Sequence, residues 1–400
     1  MKKQLLFVIE SLVCAGAEKS LVTLLRLLDY TKYEVDLQLF AYGGEFEELL
    51  PPEVNLLPPL PYFTYASQSL RALTKGCGKA ETRRALAGRL RYSAALRTGT
   101  YNHPQKAVLF WKSAHTCFTP TEKTYDVAIA YAQGTPTFYV ADCVRAKRKL
   151  AWVNAIYTPT GKWRNYVAGK YAAFDAVNCV SDSAQETFRV TFPEAAAKST
   201  VIYDINDGAL MADMAQMENT AAADMACGGV KILTVGRFAP QKGYDIALEA
   251  CRILKERGLD FCWYALGRGA LEAEIRQSMA EKGIEDRFVL LGTRANPYPY
   301  YKEADIYVQT SRFEGFGLAI AEARMLNTPV VTTRFDAVDA QMVHGENGLV
   351  VDMTAEAVAD GIQRLLDDRA LYDHITDYQS REKKGNYEEI EKFYRLLDKE

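Results

Sequence analysis

The stretch Ser311-Arg-Phe-Glu-Gly-Phe-Gly-Leu-Ala-Ile-Ala-Glu322 lies between two short apolar runs, residues 305–310 and 329–333. Each run has the length and the β-branched and aromatic content of a buried strand, and the stretch itself ends in a helical pattern. The segment therefore predicts a strand, a loop, a helix and a second strand, the unit from which parallel sheets are built. Gly315 and Gly317 let the backbone approach a ligand closely, and the helix N-terminus favours an anion.

Two glutamates, Glu314 and Glu322, lie eight positions apart in this stretch. Glu314 precedes the helix and Glu322 lies in its first turns, so we expect both carboxylates to face one ligand. Carboxylate oxygens accept hydrogen bonds well from sugar hydroxyls. The alternative is that Glu322 only complements the helix dipole while Glu314 is a solvated loop residue, and the stretch alone leaves both interpretations open.

Length and composition predict two soluble globular domains. The 400 residues exceed what one hydrophobic core usually serves, and 48% of them are hydrophobic and 25% charged. The formal charge of −3 argues against a general nucleic-acid-binding protein. Leu5–Ile9 is too short for a signal peptide, and no run approaches the roughly 18 apolar residues of a membrane-spanning helix. The eight cysteines form no C-x-x-C pair, which indicates reduced cytosolic thiols and no structural zinc site.

Strand-like runs alternate with helical patterns along most of the chain. This alternation predicts an α/β fold with two doubly wound, Rossmann-like parallel sheets. We place an N-terminal domain at residues 1–205, a linker at 206–229 and a second domain at 230–375. Residues 376–400 are predicted to form a terminal amphipathic helix that packs back on the N-terminal domain.

Residues 66–113 concentrate positive charge, with ten lysines and arginines against one acid, Glu81. Four of the cations recur at every fourth position: Arg71, Lys75, Lys79 and Arg83. Leucines and aromatic residues occupy other positions of the same segment. A basic amphipathic segment with aromatic residues is typical of a protein that contacts an anionic membrane surface. A solvated charged face is the alternative.

A cationic loop, Gly236-Arg-Phe-Ala-Pro-Gln-Lys-Gly243, follows another strand-like run. In a parallel sheet such a loop lies at the carboxyl edge, where ligands bind. Arg237 and Lys242 place two positive charges there, which suit a diphosphate and stabilise the charge that grows on it as a leaving group. Leu266-Gly-Arg-Gly269 occupies the same edge, but a dinucleotide fingerprint would need a third glycine where the chain has Glu272.

The spacing Gly236-Arg237-x4-Lys242-Gly243 followed by Glu314-x7-Glu322 resembles the signature of the retaining glycosyltransferases of family 4, which have the GT-B fold of two facing doubly wound domains. The resemblance covers nearly the whole chain and is strongest over residues 230–351. It implies that Arg237 and Lys242 hold the diphosphate of a nucleotide sugar, that Glu322 binds the ribose and that Glu314 faces the transferred sugar. The resemblance implies further donor-binding roles for Gly16, Gly236, Gly267, Thr293, Phe316, Gly317 and Leu318.

One position departs from the family pattern. Relatives that act on polysaccharide repeats often carry W-x-H where this chain has Trp152-Val-Asn154. Asn154 can still hydrogen-bond the transferred sugar but cannot carry a proton, which bears on turnover and not on binding. A metal-binding D-x-D cluster is missing from the relevant edge, so Arg237 and Lys242 would take the role that a divalent ion has in other transferases. We expect no metal and no cofactor.

The sequence therefore predicts a retaining, metal-independent glycosyltransferase. It would move a hexose or N-acetylhexosamine from a nucleotide sugar, a UDP-sugar, to a lipid-linked or cell-surface polysaccharide precursor. We expect it in the cytoplasm, peripheral on the inner face of the cell membrane, with no nucleic-acid partner. Two alternatives remain open: a nucleotide-sugar epimerase of the same fold, which needs acid and base residues at the cleft, and a non-catalytic sugar-nucleotide-binding subunit, which Asn154 would allow.

Overall fold

A computed structural model describes residues 2–13, 15–66, 80–156, 158–217, 220–294, 296–314 and 317–398. The chain divides into two units. Unit 1 comprises Met1–Ile205 and Glu388–Glu400, and unit 2 comprises Asn206–Tyr387.

Unit 1 is built on a seven-stranded sheet in which all neighbouring strands are parallel. Its strands are β1 (Lys3–Ile9), β2 (Tyr33–Leu39), β3 (Val54–Leu56), β4 (Tyr125–Ala130), β5 (Ala146–Val153), β6 (Ala176–Cys179) and β7 (Ser199–Val201). The strand order is β3-β2-β1-β4-β5-β6-β7, so the winding direction reverses between β1 and β4.

Helices cover both faces of this sheet. They are α1 (Gly16–Leu27), α2 (Pro61–Ala66), α3 (Ala80–Leu96), α4 (His103–Ala114), α5 (Thr135–Cys143), α6 (Gly161–Tyr171) and α7 (Asp182–Thr191). Leu6 and Val8 of β1 join the core that includes α4 and α5, while Phe7 and Ile9 join the core that includes α1. Because both faces of the strand are buried, β1 reads as a continuous apolar run and not as an alternating one.

Unit 2 contains a six-stranded parallel sheet. Its strands are β8 (Val230–Val235), β9 (Phe261–Leu266), β10 (Phe288–Gly292), β11 (Ile306–Gln309), β12 (Val330–Thr333) and β13 (Leu349–Val351). The order is β10-β9-β8-β11-β12-β13, with the reversal between β8 and β11. The predicted α/β fold with two doubly wound parallel sheets is confirmed.

The helices of unit 2 are α8 (Gly208–Met214), α9 (Ala221–Asp224), α10 (Tyr244–Glu256), α11 (Glu272–Lys282), α12 (Tyr298–Glu303), α13 (Leu318–Met325), α14 (Ala355–Asp367) and α15 (Arg369–Arg381). Residues 206–229, which we expected to link the domains, lie within unit 2 and include α8 and α9. Met211, Met214 and Met225 are buried there. The methionine side chains face the interior of unit 2, which accounts for an apolar composition without strand periodicity.

The last helix, α16 (Glu389–Asp398), belongs to unit 1. The ring centroid of Phe393 lies 6.1 Å from that of Phe7 and 5.9 Å from that of Trp152. The predicted return of the terminal helix to the N-terminal domain is confirmed. The crossing point is Tyr387/Glu388, whereas residues 376–387, which we expected to belong to the terminal helix, lie in unit 2. Among the helices of the described ranges, none has the length and apolar content to cross a bilayer.

Candidate functional site

Two loops meet at the carboxyl edge of the unit 2 sheet, between β8 and β11. We call residues 236–243 the cationic loop and residues 310–317 the glutamate loop; Gly315 and Phe316 of the latter lie outside the described residues. The order of strands reverses between β8 and β11, and ligands of open α/β sheets bind at such reversals. The topology therefore brings the cationic and acidic motifs to one place.

Hydrogen bonds join the two loops. Arg312 N donates to Gln241 O over 2.8 Å, and Thr310 Oγ1 donates to Lys242 O over 2.9 Å. Gly243 ends the cationic loop with a φ of +62°, and a Cβ at this position would overlap the carbonyl oxygen of Thr310. Because a side chain here would be both strained and obstructed, the close approach of the loops requires glycine.

The carboxylate of Glu314 lies at the centre of the contact between the loops. Lys242 Nζ is 2.6 Å from Glu314 Oε1, and the two side chains are only 17% and 9% exposed. Ser311 Oγ donates to the same oxygen over 2.6 Å and Gln309 Nε2 over 3.1 Å, while Gln241 Nε2 lies 3.4 Å from Oε2. Donors from both loops thus fix the orientation of the carboxylate. The structure joins in one ion pair two residues that the sequence assigned separately to diphosphate and to sugar.

Glu322 lies on α13 and is 1% exposed. Tyr301 OH, from α12, donates to Glu322 Oε2 over 3.0 Å. The pKa of Tyr301 is held well above its ordinary value, mainly by burial and to a smaller extent by the charge of Glu322. The phenol therefore keeps its proton and remains a hydrogen-bond donor. A buried carboxylate requires such partners. The role of Glu322 in ribose binding stays a prediction.

Other predicted donor-site residues occupy the same edge of unit 2. The Arg237 side chain is exposed, and no ion pair or side-chain hydrogen bond joins it to another residue in the described part of the chain. Gly236 and Gly267 directly follow β8 and β9, and a Cβ on Gly267 would overlap Gly236 O. Gly317 is the N-cap of α13 and Leu318 is its first residue, while Phe316 lies outside the described residues.

The turn around Thr293 is held by an arginine that the sequence did not single out. Arg294 Nε donates to Tyr300 OH over 2.8 Å, and its NH1 donates to Leu291 O over 2.7 Å. Arg294 also pairs with Asp224 of α9 at 3.1 Å. The turn that carries Thr293, a predicted donor-binding residue, is therefore fastened to the segment that we had expected to be a linker. The signal in the sequence was an arginine two residues after a strand at the ligand edge.

In unit 1, Asn154 follows β5 and bridges to the end of β4. Its Nδ2 donates to Tyr131 O over 2.6 Å, and its backbone N donates to Gln133 Oε1 over 3.0 Å. Asn154 Oδ1 is buried and has no hydrogen-bond partner among the described residues. Gly16 is the first residue of α1. The structure thus gives Asn154 a role in holding two strand ends, and its predicted contact with the sugar stays a prediction.

Glu10 is a further polar residue at the carboxyl edge of unit 1. It directly follows β1, where the winding direction of the sheet reverses. Burial raises its pKa, while the charge of His103 and a hydrogen bond with Thr135 act in the opposite direction. A glutamate directly after the first strand was the signal that could have marked it. In the described ranges no group of three or more His, Cys, Asp or Glu side chains converges as a metal site.

The predicted basic segment is described in part. Arg71, Lys75 and Lys79 lie outside the described residues. Helix α3 continues the segment, with exposed arginines at positions 83, 84 and 91 and with Leu90 at 53% exposure. Its opposite face is buried at Thr82, Ala85 and Gly88. The described part of the segment therefore includes a packed helix, α3, with a basic outer face.

The chain resembles known proteins over both units. Residues 226–382 match the family model of the glycosyl transferases group 1. The chain is 33% identical over 145 residues to the amylovoran biosynthesis glycosyltransferase AmsK of Erwinia amylovora, covering 34% of this chain and 36% of AmsK. It is 24% identical over 242 residues to the lipopolysaccharide core biosynthesis mannosyltransferase LpsB of Rhizobium meliloti (strain 1021), covering 58% of this chain and 66% of LpsB.

Among solved structures, Anabaena Alr3699/HepE in complex with UDP and glucose superposes with a TM-score of 0.66 at 19% identity and covers 99% of both chains. This likeness supports the predicted α/β fold of two doubly wound parallel-sheet units. The matches to AmsK and LpsB each span less than two thirds of the relative. Over residues 226–382, which lie in unit 2, the chain is similar to the glycosyl transferases group 1.

Proposed function

We propose that this protein is a glycosyltransferase that moves a hexose or N-acetylhexosamine from a UDP-sugar to a hydroxyl of a lipid-linked or cell-surface polysaccharide precursor. The observation that carries the proposal is the Lys242–Glu314 pair at the sheet reversal of unit 2. A cation suits the diphosphate and the adjacent carboxylate suits sugar hydroxyls, so one cluster recognises both parts of a sugar nucleotide. The named activities of AmsK and LpsB, and the UDP and glucose bound to HepE, support this choice of substrate.

In the proposed reaction, Arg237 and Lys242 hold the diphosphate and stabilise the charge that it gains on leaving. The bond between the anomeric carbon and the phosphate oxygen breaks, and its electron pair stays on the diphosphate. The acceptor oxygen bonds to the anomeric carbon on the same face, and its proton passes to a diphosphate oxygen. Glu314 Oε1 is occupied by Lys242, Ser311 and Gln309, which favours an orienting role for this carboxylate over nucleophilic attack.

The proposed reaction requires no metal ion, because the two cations of the cationic loop supply the positive charge that a divalent ion supplies in other transferases. We also propose that unit 1 contacts an anionic lipid surface through the basic outer face of α3. The exposed arginines at positions 83, 84 and 91 and the exposed Leu90 support this contact. Such a contact would place the enzyme at the cytoplasmic face of the membrane that carries its acceptor.

The test is UDP release from UDP-glucose, UDP-galactose, UDP-N-acetylglucosamine and UDP-N-acetylgalactosamine, with and without polyprenyl-diphosphate-linked sugars as acceptors. Release that depends on the acceptor, in the presence of EDTA, is the expected result. Interconversion of free sugar nucleotides would instead identify an epimerase. Binding of UDP without turnover of any donor would identify a non-catalytic subunit.

A further inference from the structure

Gln309 is a buried amide at the end of a strand that is otherwise apolar or aromatic. It is the last residue of β11, and its side chain is 2% exposed. A buried amide costs free energy unless its polar atoms are hydrogen-bonded. Tyr307 OH donates to Gln309 Oε1 over 2.8 Å, and Gln309 Nε2 donates to Glu314 Oε1 over 3.1 Å. The glutamine therefore connects a tyrosine of the same strand to the central carboxylate of the site.

The chemistry of these three groups permits only one orientation of the amide. A carboxylate accepts and does not donate, so the NH₂ group of Gln309 has to face Glu314. Tyr307 is fully buried, and burial, followed by the charges of Glu322 and Glu314, holds its pKa well above the ordinary value. The phenol thus keeps its proton and donates a hydrogen bond to Gln309 Oε1. A flipped amide would turn its carbonyl oxygen towards the carboxylate and its NH₂ group towards the phenol.

The contacts also distinguish the two oxygens of Glu314. Oε1 receives three donors, from Lys242, Ser311 and Gln309. In the described part of the chain, Oε2 has only the 3.4 Å contact from Gln241. Oε2 is thus the oxygen with capacity left to accept a hydrogen bond from a ligand.

We propose that Tyr307 and Gln309 are positioning residues that direct Glu314 Oε2 towards a hydroxyl of the transferred sugar, and that they set the affinity for the sugar part of the donor without affecting the nucleotide part. This inference rests on the proposed function. Neither residue touches the substrate; both act through Glu314.

A second buried tyrosine provides a matched control. Tyr301 OH donates to Glu322 Oε2 over 3.0 Å, and the ring centroids of Tyr301 and Tyr307 are 5.3 Å apart. Tyr301→Phe and Tyr307→Phe each remove one hydroxyl from a fully buried ring. The Tyr301 hydroxyl bonds Glu322 directly, whereas the Tyr307 hydroxyl is connected to Glu314 through Gln309. If Glu322 binds the ribose, the Tyr301 change alters the affinity for the nucleotide, whereas the Tyr307 change alters the affinity for the sugar.

The experiment measures Kd for UDP and for the best UDP-sugar by calorimetry, together with kcat/KM, on the full chain. Tyr307→Phe and Gln309→Leu are expected to lower UDP-sugar affinity and kcat/KM about tenfold and to leave UDP affinity within about twofold. Tyr301→Phe is expected to weaken UDP and UDP-sugar equally. Circular dichroism melting identifies any variant that fails to fold, and Tyr307→Phe still tests the inference if Gln309→Leu does not fold.

A double-mutant cycle separates positioning from general stabilisation. In a Glu314→Ala background, which removes the oxygen that Gln309 bonds, Gln309→Leu is expected to cause no further loss of UDP-sugar affinity. Equal losses for UDP and UDP-sugar in Tyr307→Phe, or full additivity in the cycle, would overturn the inference while the proposed function stands. A wild-type protein that binds neither UDP nor any UDP-sugar would overturn both.

Discussion

The ion pair between Lys242 and Glu314 is mostly shielded from water, with side-chain exposures of 17% and 9%. Charges in such a place interact more strongly than at the surface, and removing one partner leaves the other charge uncompensated. Glu314 is not held by Lys242 alone, however, because Ser311 and Gln309 also donate to it. The carboxylate therefore retains hydrogen bonds when Lys242 is engaged by a diphosphate.

Lys242→Ala is expected to weaken UDP-sugar binding and to slow transfer by about 100-fold or more, because it removes a fixed positive charge from the leaving group. Initial rates of UDP release and calorimetric Kd values measure the effect. Lys255→Ala is the control, since Lys255 pairs with Asp286 on the surface of unit 2. A near-normal rate of sugar transfer by Lys242→Ala would contradict the proposal that Lys242 binds the diphosphate of the donor.

The carboxyl of Asp204 is buried in unit 1, where Ser20 Oγ donates to it over 2.6 Å. Burial raises the pKa of Asp204 from 3.8 to about 6. The folded state then binds the Asp204 proton more tightly than the unfolded state does. The protonated carboxyl therefore contributes to stability at low pH, and this contribution is lost as the pH rises from 3.8 to about 6. The shift corresponds to a loss on the order of 3 kcal/mol.

Asp204→Asn removes that titration and retains an oxygen that can accept from Ser20. Relative to wild type, the variant is expected to gain about 2 to 3 kcal/mol of unfolding free energy between pH 4 and pH 7. Urea unfolding of both proteins at several pH values measures the difference between their unfolding free energies. The contributions of the other titrating groups are common to both proteins and cancel in this difference. A difference that is constant with pH would contradict the assignment.

At the scale of the element, the cationic and glutamate loops behave as one structure. The backbone of one loop bonds the backbone and side chains of the other, and Gly243 lies where they touch. Separating the two loops would separate Lys242 from Glu314. A change that breaks the contact between the loops should therefore also abolish donor binding.

Gly243→Ala tests this coupling, and Gly283→Ala is its control. Both glycines have a φ of +62°, but a Cβ at Gly283 would meet no atom within 4 Å. The control should lose about 1 kcal/mol from backbone strain alone. Gly243→Ala should lose about 1 to 3 kcal/mol more and lose UDP binding, because the added methyl pushes the loops apart. Equal unfolding free energies for the two variants, with UDP binding intact, would show that the contact is not needed.

Hydrophobic periodicity predicted both doubly wound sheets, since each buried strand reads as a short apolar run. The motif spacing predicted that the two cations and the two glutamates share one unit. It did not predict the ion pair between Lys242 and Glu314, because that pair depends on the directions of side chains from two different loops. The sequence did not identify Tyr307 and Gln309 as residues of the site, because both lie inside a strand-like run. A glutamine within such a run was the signal that could have marked them. Residues 206–229 lacked periodicity because short helices bury scattered methionines there.

The basic outer face of α3 predicts binding to anionic vesicles. Changing Arg83, Arg84 and Arg91 to glutamate should abolish sedimentation with phosphatidylglycerol vesicles at low salt, because each cation near an anionic surface contributes about 1 kcal/mol. The control carries Arg257→Glu, Arg276→Glu and Lys302→Glu in unit 2, which changes the net charge equally. Unchanged sedimentation of the α3 variant, or equal loss in the control, would identify the arginines as a solvated face.

The most direct test of the central claim is a crystal structure of the full chain with a bound UDP-sugar. We expect the diphosphate within hydrogen-bonding distance of Lys242 Nζ and the Arg237 guanidinium, and a sugar hydroxyl within hydrogen-bonding distance of Glu314 Oε2. A sugar nucleotide bound away from the sheet reversal of unit 2, or a diphosphate that contacts neither cation, would contradict it.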